Sequence, residues 1–121
     1  MKAQKISPDK LSQYIEVLEG ACKEDPDSAD LLTCLGMAHN LNEDRPRSLQ
    51  AFERARAIDP QHFFAQFRYA ELLFATRDLG RAEAETERAL SLARSNSERS
   101  MTRRQLRQVR QLLRTSQKRP A

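Results

Sequence analysis

The chain has no tryptophan, only three glycines and only two cysteines among its 121 residues. That scarcity leaves little room for a β-sandwich or for a glycine-rich loop that cradles a nucleotide. No run approaches the roughly 18 apolar residues that a membrane span needs. The N-terminal Met1-Lys2-Ala3-Gln4-Lys5 lacks the apolar segment of a signal peptide, so the expected location is cytoplasmic. In such a chain Cys22 and Cys34 read as reduced core thiols rather than as a bridge. Zinc would also need His39 and His62, which stand far apart with no paired ligand spacing, so neither a metal nor a cofactor is expected.

What the chain does have is a repeat. Glu19, Ala21 and Pro26 recur as Glu53, Ala55 and Pro60, and Glu87 and Ala89 follow at the same interval of 34. A period of 34 is that of stacked helical hairpins, each with an apolar face that only a neighbour can cover. With 39% hydrophobic and 31% charged residues, the chain suffices for one domain with a modest core.

Six helices are expected. Ser7-Pro8 opens the first, with Leu11, Tyr14, Ile15, Leu18 and Cys22 as its apolar stripe. Asp27 or Ser28 caps the second, which carries Leu31, Leu32, Leu35, Ala38 and Leu41. Asp44 caps the third, with Leu49, Ala51, Phe52, Ala55 and Ile58 as its apolar residues. The fourth, about residues 61 to 76, holds four of the five phenylalanines. Asp78 caps the fifth, which buries Ala82, Ala89, Leu90 and Leu92 and turns Glu83, Glu85 and Glu87 to solvent. Ser97 is the expected cap of the sixth, whose apolar residues are Met101, Leu106, Val109, Leu112 and Leu113 on an otherwise arginine-rich rod. The expected organisation is an N-terminal capping helix (1–27), two hairpins (28–62 and 63–96) and a basic C-terminal capping helix and tail (97–121).

Leu32, Leu35, Gly36, Phe52, Ala55 and Pro60, with His39 and Ser48 at two further patterned places, resemble the tetratricopeptide repeat. Residues 63 to 96 follow the pattern more loosely through Gln66, Tyr69, Ala70, Leu73, Ala82, Thr86, Ala89 and Arg94. The first helix resembles the second half of a further repeat through Tyr14, Leu18, Ala21 and Pro26. Small residues are needed where the helices of a hairpin cross, because a large side chain would push the backbones apart.

The resemblance implies an all-α, right-handed α–α superhelix of about six helices. It also implies a noncatalytic adaptor, scaffold or chaperone-like module that binds a protein or peptide partner in a concave groove. Carried over by position, that groove would be lined by Asp30, Thr33, Met37 and Asn40 from one hairpin and by Phe64, Phe67, Glu71 and Phe74 from the next. The subgroup that clamps acidic chaperone tails uses Lys, Asn and Arg donors. Thr33, Met37 and Phe64 stand at matching places here and only Arg68 is basic, so this chain is not expected to hold a terminal carboxylate. The alternative is a homo-oligomer that fills the same apolar groove with a helix of its own or of a neighbour.

Charge suggests another partner. Residues 94 to 121 carry nine basic residues against Glu98 alone, net +8, whereas residues 1 to 93 carry twelve basic against sixteen acidic, net −4. Arg103, Arg107, Arg110 and Arg114 share one helix face and would suit an anionic partner. Without an aromatic residue for base stacking, nucleic acid is the weaker reading, and a solvated face that also pairs with acidic residues of the fifth helix or of a partner is the simpler one. No enzyme is expected. Ser7-Pro8-Asp9-Lys10 has the Ser-x-x-Lys spacing of some acyl-transfer enzymes but lacks a companion motif and reads as a helix cap. Neither histidine has a nucleophile or carboxylate assigned near it.

Overall fold

The computed structural model describes residues 7–117. Six helices follow one another, α1 (Pro8–Glu24), α2 (Ala29–Leu41), α3 (Arg45–Ile58), α4 (Phe63–Ala75), α5 (Leu79–Leu92) and α6 (Asn96–Gln117), and no strand occurs among the described residues. None of these helices is long and apolar enough to cross a membrane. The chain divides into two compact units that meet between Asp59 and Pro60. The first holds α1 to α3 and the second α4 to α6.

The period of 34 is visible in how the helices begin and end. Ser28 Oγ and His62 Nδ1 accept the N–H groups of Leu31 and Ala65 at 3.1 Å each, capping α2 and α4 at equivalent places. Asp44 and Asp78 stand at the N-caps of α3 and α5. In the α2–α3 and α4–α5 turns one residue adopts a left-handed backbone, Glu43 at φ 59° and Arg77 at φ 65°. The following N–H then reaches back to a carbonyl five residues earlier, Asp44 to His39 and Asp78 to Leu73, both at 2.9 Å. This is the Schellman arrangement, which satisfies helix carbonyls that would otherwise lack a partner.

Within the first unit α2 packs against both α3 and α1. The α2–α3 crossing is tight because Gly36 has no side chain. A Cβ there would lie 2.6 Å from the Phe52 ring. Leu11, Ile15, Leu18 and Cys22 are buried along α1, but Tyr14, expected in the same stripe, is 46% exposed. Leu41 and Ile58 are likewise exposed, because each ends its helix beyond the packed turns.

In the second unit α4 packs on α5, and α5 in turn carries α6. Phe63, Phe67 and Ala89 form a core with Leu92, Ala93 and Met101 against it. The cap of α6 is Ser95 and not Ser97: the Ser95 hydroxyl accepts the Glu98 N–H at 3.1 Å, and the Glu98 carboxylate accepts the Arg94 N–H at 2.8 Å. Ser95 and Glu98 form the Ser-x-x-Glu spacing of a capping box, a signal present in the sequence. Glu85 does not simply face solvent. The buried Gln66 amide donates to its carbonyl at 2.8 Å and to its carboxylate at 2.9 Å.

Candidate functional site

The helix α6 buries more than its apolar stripe. Thr102 and Gln105 are buried beside Leu106 and Val109, and Gln105 Nε2 donates to the Thr86 hydroxyl of α5 at 3.3 Å. On the flank toward α5, Arg110 donates through Nε to Glu83 at 3.0 Å and through Nη2 to Glu87 at 2.6 Å. These two carboxylates hold the Arg110 guanidinium proton and raise its affinity further above an already high value. The helix α6 packs mainly on α5 and touches α4 less, with Met101 against the core that holds Phe63 and Phe67.

It also forms the second wall of a cleft. Two cavities of about 670 and 620 Å³ lie along α4 and α6 and share Glu71, Gln105 and Gln108 in their lining. The α6 wall is a ladder of amides, Gln105, Gln108 and Gln111, with Met101 and Leu112 as apolar points among them. Phe67, Arg68, Glu71 and Phe74 supply the α4 wall, and Arg77 and Arg104 complete the charged set. Three guanidinium groups against one carboxylate leave the cleft net positive.

Two of those guanidinium groups are already engaged. Arg68 Nη1 donates to both Glu71 oxygens, at 3.0 and 3.3 Å, while its guanidinium lies 5.6 Å from the centre of the Phe67 ring. Arg68 Nε is buried without a hydrogen-bond partner. Arg77 lies 5.3 Å from the centre of the Phe74 ring and donates to the Phe74 carbonyl at 2.9 Å. Both cation–π contacts hold a ring in place while leaving positive charge at the cleft surface.

The α4 residues expected in the groove divide by exposure. Phe64 is 43% exposed and Glu71 and Phe74 are half-buried, all on one helix face. Phe67 is 4% exposed and stacks on Phe63 with ring centres 5.8 Å apart, so it belongs mainly to the core. On α2, Asp30, Met37 and Asn40 are exposed, but Thr33 is buried and its hydroxyl donates to the Ala29 carbonyl at 2.7 Å. Thr33 is therefore a packing residue. The four α2 residues lie in the first unit and the four α4 residues in the second.

Arg103, Arg107, Arg110 and Arg114 are exposed on one face of α6, but none of them lines the cleft. With 3.6 residues per turn they fall on a different side of the helix from Met101, Gln108 and Leu112. Lys118, Arg119 and the rest of the expected basic tail lie outside the described residues. The first unit has its own cavity, about 580 Å³, where His39 stands among Glu19, Glu53 and Arg54. Among the described residues no group of three His, Cys, Asp or Glu side chains could hold a metal.

Helical hairpins of this period, with small residues at their crossings and a left-handed residue in each turn, have the tetratricopeptide repeat fold. The first such domain of Spaghetti (RPAP3), bound to the HSP90 peptide SRMEEVD, is similar with a TM-score of 0.77 and 24% identity over 87% of this chain and 81% of that one. The Sgt2 domain from Aspergillus fumigatus gives 0.80 at 18% identity, covering 93% of this chain and 76% of that one. PcrH, in complex with the chaperone binding region of PopD, gives 0.77 at 20% identity, covering 84% and 79%. In sequence, anaphase-promoting complex subunit 3 of Schizosaccharomyces pombe is 29% identical over 73 residues. That match takes in 60% of this chain, which spans only 11% of the subunit's length. No family model matches the chain.

Proposed function

We propose that this chain is a noncatalytic interaction module that holds an extended segment of a partner protein along the α4–α6 cleft. The observation that carries this reading is the pair of exposed amides Gln108 and Gln111, with the Gln105 amide behind them held by Thr86, facing Phe74 across an open channel. A side-chain amide both donates and accepts, so a row of them matches the alternating N–H and C=O groups of a peptide backbone. Phe74, Leu112 and Met101 supply apolar contact between those polar points, and Arg104 favours an acidic side chain on the segment.

Similar structures lend support, since the RPAP3 domain holds a peptide and PcrH the chaperone binding region of PopD. A free terminal carboxylate is a poor match here. Arg68, the one cation at the clamp places, already holds Glu71, whose charge would repel a second carboxylate. An internal segment, neutral or mildly acidic, suits the cleft better. An adaptor or chaperone-like role follows from this reading.

The test is photo-crosslinked capture from the native host, comparing the wild type with Phe74→Ala plus Gln108→Ala at matched salt. Loss of a partner from the double variant, with the helical circular dichroism signal intact, supports the cleft. Retention of every captured protein refutes it. Phe67→Ala is unsuitable for this purpose because its ring is in the core.

A further inference from the structure

The helix α1 buries Leu11, Ile15, Leu18 and Cys22 on one side and leaves a second, ordered stripe on another. Lys10, Tyr14, Val17 and Glu24 are exposed along it, Val17 at 68%. Tyr14 stands 34 residues before Ser48 and 68 before Ala82, the small residues of the two hairpin crossings, and both of those are fully buried. A tyrosine at that place would hold a preceding hairpin helix away from α1. The face is therefore not shaped for one more helix of the same repeat.

Its charges are also placed unusually. Lys10 lies in the first turn of α1 and Glu24 is its last residue, the reverse of what the helix dipole favours. Neither makes an ion pair among the described residues. Each is seven residues, about two helical turns, from Val17. Equal spacing on either side of one residue is the pattern that a two-fold axis needs.

We propose that α1 pairs antiparallel with α1 of a second copy of this chain, about a two-fold axis at Val17. In that register Lys10 of each copy meets Glu24 of the other, and Val17 meets Val17. Tyr14 of each copy falls on Gly20 of the other. Gly20 explains itself in this arrangement: it is exposed inside a helix, where alanine is ordinarily preferred, and a Cβ there would meet nothing within 4 Å in the single chain. Its bare backbone offers the flat seat that a tyrosine ring needs. The contact uses one short helix per copy, below the roughly 1,200 Å² of stable interfaces, so the dimer is weak and depends on concentration. This inference does not depend on the peptide-binding reading, because the cleft lies in the other unit.

Sedimentation equilibrium of the 121-residue chain from micromolar to millimolar concentration tests it. The wild-type mass should rise from 13.9 kDa toward twice that value. Val17→Glu should stay monomeric throughout. Lys10→Glu should weaken association at least about tenfold by facing like charges, and Lys10→Glu combined with Glu24→Lys should return it to within about threefold of wild type. Circular dichroism checks that α1 persists, and both charge changes suit the helix dipole, so loss of folding is not expected. The proposal is overturned by a wild type that remains at 13.9 kDa at millimolar concentration. It is equally overturned by a dimer indifferent to Val17→Glu, by failure of the charge exchange to restore pairing, or by a dimer lost on Phe64→Glu instead.

Discussion

The Ser48 hydroxyl donates to the Gly36 carbonyl at 2.6 Å, joining the two helices of the first hairpin at their closest approach. That bond needs both residues to be small. Gly36→Ala should destabilise the fold by about 1–3 kcal/mol, because its methyl group would overlap the Phe52 ring and the helices must separate. Gly20→Ala should act in the opposite direction, stabilising by up to about 1 kcal/mol, since an exposed helical glycine is replaced in open space. Urea unfolding of both variants measures the two signs in one experiment. Equal effects would show that helix propensity, not the crossing, governs both positions.

Glu43 and Arg77 hold the left-handed turn conformation that glycine adopts without strain. Glu43→Gly should therefore raise stability by roughly 0.5–1 kcal/mol, with the gain reduced by the added freedom of the unfolded chain. Arg77→Gly should gain less, because it also loses the cation–π contact with Phe74. Thermal unfolding distinguishes them, and a lower midpoint for Glu43→Gly would contradict the argument.

The two thiols should differ in reactivity. Burial pushes the Cys22 thiol up, and this effect exceeds the opposing influence of Arg54, while Cys34 is exposed. Native protein treated with iodoacetamide near pH 8 should take one adduct per chain, at Cys34, and a second only in denaturant. Because the folded state favours the neutral thiol, the stabilising balance at Cys22 is complete below its unfolded range near pH 9 and declines as pH rises toward the folded value. Cys22→Ala should flatten that alkaline decline. Intact mass spectrometry that finds both cysteines modified at equal rates in native protein would overturn the assignment.

The hairpins were legible from the sequence because their rules are local. Caps at Ser7, Ser28, Asp44 and Asp78, and small residues at Gly36, Ser48 and Ala82, can be read without knowing the fold. The far wall of the cleft was not legible. Gln105 and Thr102 are polar yet buried, so periodicity of apolar residues alone misjudges which side of α6 docks and hides the amide ladder beside it. Phe67 and Thr33 are more buried than a groove-lining place implies, for a related reason. A position on the groove-lining helix indicates a side of the cylinder, whereas exposure depends on what the neighbouring turn and helix cover, here Phe63, Ala89 and Met101 around Phe67.

That division gives Phe64 and Phe67, one turn apart on α4, opposite outcomes on substitution. Phe67→Ala removes a ring stacked on Phe63 and packed near Met101, and should cost about 3–5 kcal/mol of stability. Phe64→Ala removes a half-exposed ring that approaches Phe63 edge-on with ring centres 5.1 Å apart, so its cost should stay below about 1.5 kcal/mol. Binding should reverse the order once stability is accounted for. Phe64 lines neither cavity, but its exposed ring stands on the face of Arg68 and Glu71, one turn ahead of Arg68, where a segment running beyond the cleft would meet it. Phe67 lines the cleft but is 4% exposed, so little of its ring is offered. Urea unfolding and partner capture on the same two variants give both quantities, and a Phe64→Ala variant that unfolds as readily as Phe67→Ala would place that ring in the core instead of on the binding face.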